Sequence, residues 1–256
     1  MKSIKTNKQS IASHHSLLPF LLELRLRLLY CIGVLVGVLF LLLPFSSYLY
    51  QCLAQPLLNR LPTDSRFIST ALTDPLFIPL KFTVILAIFI SMPFIFYQFW
   101  LFVAPALYLK ERRLLWLILV LSNSLFYSGV FFSYQFILPF LIGFFIKISP
   151  NYIHILPDIG YYLNLALQLV LGFGLIFEVP LLIIVTVASG FLTVKKLSNW
   201  RRYFIVLSFI VAMFLTPPDA VSQILLALPL CLLFEMGLFI CRFIPKKNYV
   251  KNLQEK

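Results

Sequence analysis

The chain alternates long uncharged apolar runs with short polar connections, many of them basic. Six runs predict membrane-spanning helices at about 28–48, 77–99, 114–136, 162–189, 203–216 and 222–241. A hydrocarbon layer of about 30 Å needs roughly 20 helical residues, and the first four runs supply that length. The last two read as short; 203–216 rises only about 21 Å at 1.5 Å per residue. Pro79 and Pro93 fall within the second run and Pro180 within the fourth. Neighbouring helices in a bundle can satisfy the backbone groups that such prolines free. The last two runs are joined by LTPPDAVS, where Pro217 and Pro218 stop one helix. Asp219 then suits the N-cap of the next, where a carboxylate meets unpaired N–H groups. A functional role for Asp219 stands beside that capping role.

Composition decides which solvent these helices see. The chain is 61% hydrophobic and 12% charged, with a mean hydropathy of +0.96. A soluble domain of 256 residues has too little interior to hide that much apolar surface. The expected class is therefore an all-α polytopic membrane protein, one domain over 1–256, with flexible tails at 1–15 and 245–256. The first run lacks a small-residue cleavage site and reads as a retained span, not a signal peptide.

Charge gives the orientation. Of the 21 lysines and arginines, only Arg60, Arg66, Lys81 and Lys147 fall on one side of the expected spans. The remainder mark the cytoplasmic side and place both termini there, in agreement with an even number of spans. The net charge of +12 is mostly this asymmetry, so it does not indicate a nucleic-acid surface. Cys31, Cys52, Cys231 and Cys241 form no CxxC pair, and His14, His15 and His154 lack metal-ligand spacing. No HExxH, GxSxG or phosphate-cradling glycine loop is present. Neither an enzyme nor a cofactor is indicated.

Four acids could carry chemistry. Glu23, in FLLELRLRL, precedes the first run and has Arg27 at i+4, the favourable spacing for a helical ion pair, with Arg25 nearby. Glu111 lies between Lys110 and Arg112–Arg113, which suits a solvated loop. It also follows an aromatic ledge of Phe99, Trp100 and Phe102, which suits a ligand with a cationic end and an apolar end. Both readings stand on residues alone. Glu178 sits deep inside LGFGLIFEVPLLI, where an ionised acid costs about 2.5–3.5 kcal/mol at a span centre. Such residues face a bundle interior or wet cavity and are functional by default; the structural alternative is a protonated acid bonded to a neighbouring helix. Glu235 lies nearer the cytoplasmic end and reads as structural, directed towards Arg242. Gln223 offers an amide to a partner helix. From Glu178 alone, an ion-coupled small-solute transporter is the rival function, although no paired inverted repeats with broken helices are visible.

Four stretches taken together, FLLELRLRL, FWLFVAPALYLKERR, LGFGLIFEVPL and LTPPDAVSQILLALPLCLLFE, resemble the TatC family, the six-span core of the twin-arginine translocase. The resemblance runs from about Leu17 to Phe243 in the family's order and spacing. It implies a concave, glove-like bundle that receives twin-arginine signal peptides of folded cargo. It further implies assembly into multimers with the single-span proteins TatA and TatB, and export driven by the protonmotive force. On this resemblance Glu23 and Glu111 are the signal-peptide acids and Phe102 a neighbouring functional position. Arg25, in the same motif, is counted with these signal-peptide-binding residues, although its charge, like those of Arg112 and Arg113, must turn away from a cationic ligand. Glu178 becomes the groove acid. Asp219, Gln223 and Pro56 match polar or loop positions on the outer side. Where the family commonly has a histidine three residues before its first glutamate, this chain has Phe20, so that histidine's role does not transfer. With no Ser/Arg-rich transit segment before the first run, a bacterial inner membrane is the expected location.

Overall fold

The computed structural model describes residues 17–46, 48, 73–106, 112–148, 158–216 and 219–243, and all regular elements among them are helices. Helix α1 covers Leu17–Leu42 and α2 covers Asp74–Ala106. Helix α3, Arg112–Phe132, runs through a π-helical turn, Ser133–Ile137, into α4, Leu138–Ile148. Helix α5 is Ile159–Ile176 and α6 is Val179–Ala188. A short α7, Val194–Asn199, leads to α8, Arg201–Leu215, and α9 is Ala220–Phe243. The expected tails, 1–15 and 245–256, lie outside the described residues.

Five stretches are long and apolar enough to cross a membrane: Leu21–Phe45, Leu76–Val103, Leu114–Phe145, Gly160–Ala188 and Ala220–Phe243. The sixth expected span is α8, whose 15 residues rise about 22 Å. Two lengths differ from the sequence reading. The third span continues past 136 because a π turn accommodates Pro139, which has no N–H to offer the carbonyl one turn back. The last helix is not short. It has 24 residues, opening directly after Asp219 and ending with Arg242 in its last turn, where a cation suits the helix dipole. Only α8 remains short.

The prolines show how a bundle replaces lost backbone bonds. Pro93 in α2 leaves the Phe89 carbonyl without its intrahelical donor, and the Tyr127 hydroxyl of α3 donates to that carbonyl at 3.0 Å. Pro180 does the same to the Ile176 carbonyl, and there the helix breaks, separating α5 from α6 at Phe177–Glu178. The Glu178 N–H turns to the Leu175 carbonyl instead, at 3.1 Å. Gly190, at φ 81°, closes α6 in the left-handed conformation that glycine adopts without a Cβ clash.

The helices pack in sequence at one end, α1 on α2, α2 on α3 and α3 on α5, while α9 joins α6 to α8 at the other. One buried cluster unites α2, α3 and α6 through Met92, Phe96, Trp100, Phe126, Leu181 and Val185. A second unites α4, α5, α8 and α9. Helices α3 and α5 approach closely at Gly129, where a Cβ would lie 2.6 Å from the Phe173 carbonyl oxygen. Small residues permit such contacts, which matter more in lipid because apolar surface gains little by leaving lipid tails. Helix α1 is an arm by comparison. Its half-buried residues, Arg27, Cys31, Val34, Leu35, Val38, Leu39 and Leu42, follow helical spacing, and none of its described residues is fully buried.

Candidate functional site

At the N-terminal end of α1, Glu23 accepts from both Nε (3.1 Å) and Nη2 (2.5 Å) of Arg27, as the i+4 spacing leads one to expect. The Glu23 side chain remains 46% exposed and that of Arg27 20%. Arg27 Nη1 also donates to Gln98 Oε1 of α2 at 3.4 Å. This contact fixes the relative level of two antiparallel neighbours. Glu23 lies one turn before Arg27 and Phe102 one turn after Gln98, about 6 Å in the same direction in each case. Glu23 and the half-buried Phe102 therefore share one level at the ends of adjacent helices. Arg25 is exposed and takes no part in the Glu23 ion pair. Glu111 lies outside the described residues, one position before α3 begins, and so does Pro56.

The aromatic ledge is split. Phe99 is exposed, whereas Trp100 turns inward and is 1% exposed. The sequence groups the three rings together; the helix starts consecutive side chains about 100° apart, so Phe99 lies outside and Trp100 inside, although their rings still meet edge to face at 5.3 Å between centroids. Trp100 Nε1 donates to Ser122 Oγ of α3 at 3.1 Å, and Ser122 Oγ donates to Glu178 Oε2 at 2.8 Å. The direction follows from proton inventory: an indole N–H only donates, and the single serine proton is left for the carboxyl group. Glu178 itself is 6% exposed. It was expected on a wet groove; in this chain alone it is packed against α3, with Oε1 buried and without a hydrogen-bond partner among the described residues.

The opposite end of the bundle holds Asp219 and Gln223. Asp219 Oδ2 accepts from the Ser222 N–H at 2.8 Å, the expected cap of α9. Its Oδ1 is buried without a partner among the described residues, as is Ser222 Oγ. Gln223 is half-buried on the first turn of α9. Glu235 does not pair with Arg242, two turns further along its own helix; it accepts from Arg201 Nη2 of α8 at 2.8 Å. A facing helix end offers a guanidinium nearer than a residue two turns, or about 10 Å, away. Sequence reasoning missed Ser122 altogether. A serine in an apolar helix carries no signal of its own, and its partners are 22 and 56 positions away. No three His, Cys, Asp or Glu side chains come together as a metal site among the described residues.

The arrangement has known counterparts. Residues 19–229 match the family described as Sec-independent protein translocase protein (TatC). Sec-independent protein translocase protein TatC of Haemophilus influenzae is 46% identical over 93% of this chain and 94% of its own length. That of Escherichia coli K12 is 40% identical, covering 91% of each. A crystal structure of the twin-arginine translocase receptor TatC superposes with a TM-score of 0.79 at 34% identity, covering 87% of this chain and 98% of that one. This likeness extends to the six-span, glove-like fold, so the protein is a multi-pass membrane protein with the architecture of a translocase component. The chain belongs to the TatC family.

Proposed function

We propose that this chain is the signal-peptide receptor and core subunit of a twin-arginine translocase, with Glu23, Glu111 and Phe102 forming the recognition site. The observation that carries this reading is the shared level of Glu23 and Phe102, set by the Arg27–Gln98 contact. An exposed carboxylate and an aromatic side chain then stand side by side, complementary to an arginine pair followed by an apolar segment. Glu23 already holds one guanidinium through two donors on one oxygen. That internal pair is no obstacle, because exposed i+4 pairs contribute only about 0.3–0.5 kcal/mol. A guanidinium presents a rigid fork of five donors where an ammonium is a point charge, so carboxylates at this rim favour arginine over lysine. Arg25, exposed beside them, steers away from the ligand and limits how deeply a cation can approach.

The chain works as a single domain in a bacterial inner membrane with both termini cytoplasmic, so that the Glu23 end faces the cytoplasm. Its single-span partners are TatA and TatB. Glu178, on turning away from α3, offers its now buried and unpaired Oε1 to a polar group on such a span, while Asp219, Gln223 and Pro56 serve contacts on the outer side. The short α8 favours local thinning of the bilayer, at fractions of a kcal/mol per Å of mismatch. Export of folded cargo is driven by the protonmotive force.

The test is a titration of purified protein with a fluorescent twin-arginine signal peptide and its twin-lysine counterpart. Tighter binding of the arginine peptide, lost in Glu111→Ala, is expected. Equal or absent binding of both peptides to folded protein contradicts the reading, and solute flux in liposomes containing this protein alone would replace it with an ion-coupled transporter.

A further inference from the structure

The receptor site and Glu178 are not separate in this structure. Trp100 sits on α2 between Phe99 and Phe102, and its indole reaches inward to Ser122. Ser122 in turn holds Glu178 at the break between α5 and α6. Trp100 and Ser122 are 1% and 0% exposed, so no water competes for these bonds. Trp100 shares one buried cluster with Leu181 and Val185 of α6, the helix that begins at that break. Movement of the ledge end of α2 therefore moves the donor that orients the Glu178 carboxyl.

We infer that Trp100 and Ser122 are positioning residues that link occupancy of the signal-peptide ledge to the orientation of the Glu178 side chain. The inference rests on the receptor reading above. Ser122 has one proton, and the indole holds the hydroxyl so that this proton points to Oε2. Oε2 is thereby committed within the chain, and Oε1, buried and unpartnered among the described residues, reaches a partner only when the carboxyl turns. Without the indole, the serine rotor is free to turn its proton to a backbone carbonyl one turn back, as serines in helices do. Glu178 would then lose its fixed orientation although no residue touching either ligand had changed. Coupling of this kind is reciprocal, so loosening the link alters peptide affinity only by as much as the link is worth.

Isotope-edited infrared difference spectroscopy tests this on the full chain in nanodiscs, with carbon-13 glutamate and a twin-arginine peptide as the added ligand. The Glu178 band is identified by its loss in Glu178→Gln. Peptide addition is expected to shift that band in the wild-type protein. Ser122→Ala and Trp100→Phe are expected to abolish the shift while changing peptide affinity by no more than about threefold. Ser122→Ala is nearly isosteric and serves if Trp100→Phe does not fold. Peptide binding with no shift in the wild type, or with an undiminished shift in both variants, overturns the inference and leaves the receptor reading intact. No peptide binding to folded wild-type protein overturns both.

Discussion

Glu23 and Glu178 are two carboxylates in one chain, held in opposite ways. Glu23 is half-exposed on the arm α1, paired with an arginine of its own helix. Glu178 is buried at a helix break, held by a neutral serine on another helix, with one oxygen unpaired. The first pair is local and cheap to open. The second depends on three helices, α2, α3 and the α5–α6 junction, being in register. An acid suited to exchanging partners belongs on the arm; an acid suited to a fixed orientation belongs in the bundle.

The contrast can be broken most severely at the α3–α5 contact that keeps the buried acid in register. Gly129→Leu places a side chain where even a Cβ meets the Phe173 carbonyl and the Phe177 ring. Overpacking of this kind costs about 1–3 kcal/mol, and thermal unfolding in detergent is expected to show a clearly lowered midpoint. The buried relay comes next. Trp100→Phe and Ser122→Ala are each expected to cost about 1 kcal/mol, in the range of interhelical hydrogen bonds in membranes. The double variant should cost about the same as Ser122→Ala alone, because both remove one chain of bonds; a denaturation series on the three variants checks this. The arm gives the smallest effect. Arg27→Ala removes an exposed pair and should shift stability by no more than about 0.5 kcal/mol. Twin-arginine peptide affinity should stay within about twofold, since freeing Glu23 and losing the Arg27–Gln98 contact act in opposite directions. A melt and a titration on one preparation read both.

What the sequence made legible follows the same division. Local features were readable: the Glu23–Arg27 spacing and the Asp219 cap each depend on residues within one turn, whereas 162–189 read as one span and is broken at Phe177–Glu178. Features that depend on two helices meeting were not readable. The Trp100–Ser122–Glu178 bonds join three separate elements, and Glu235 chose Arg201 of α8 over an arginine of its own helix. The third run read as ending at about 136, yet a π turn carries α3 into α4 past Pro139. The polar residues at the ends of spans were visible from hydropathy alone. Ser122 was not, because an uncharged hydroxyl leaves hydropathy unchanged enough to pass as core.

The most direct test of the account is to compare one substitution at each acid, Glu23→Gln and Glu178→Gln, in the same twin-arginine peptide titration. A charge-assisted hydrogen bond to a guanidinium is worth about 1.5–3 kcal/mol, discounted here for exposure. Glu23→Gln is therefore expected to weaken binding by about tenfold, whereas Glu178→Gln stays within about threefold of wild type. Loss of peptide binding in Glu178→Gln equal to that in Glu23→Gln, with both proteins folded, would contradict the division of roles between the arm and the buried acid.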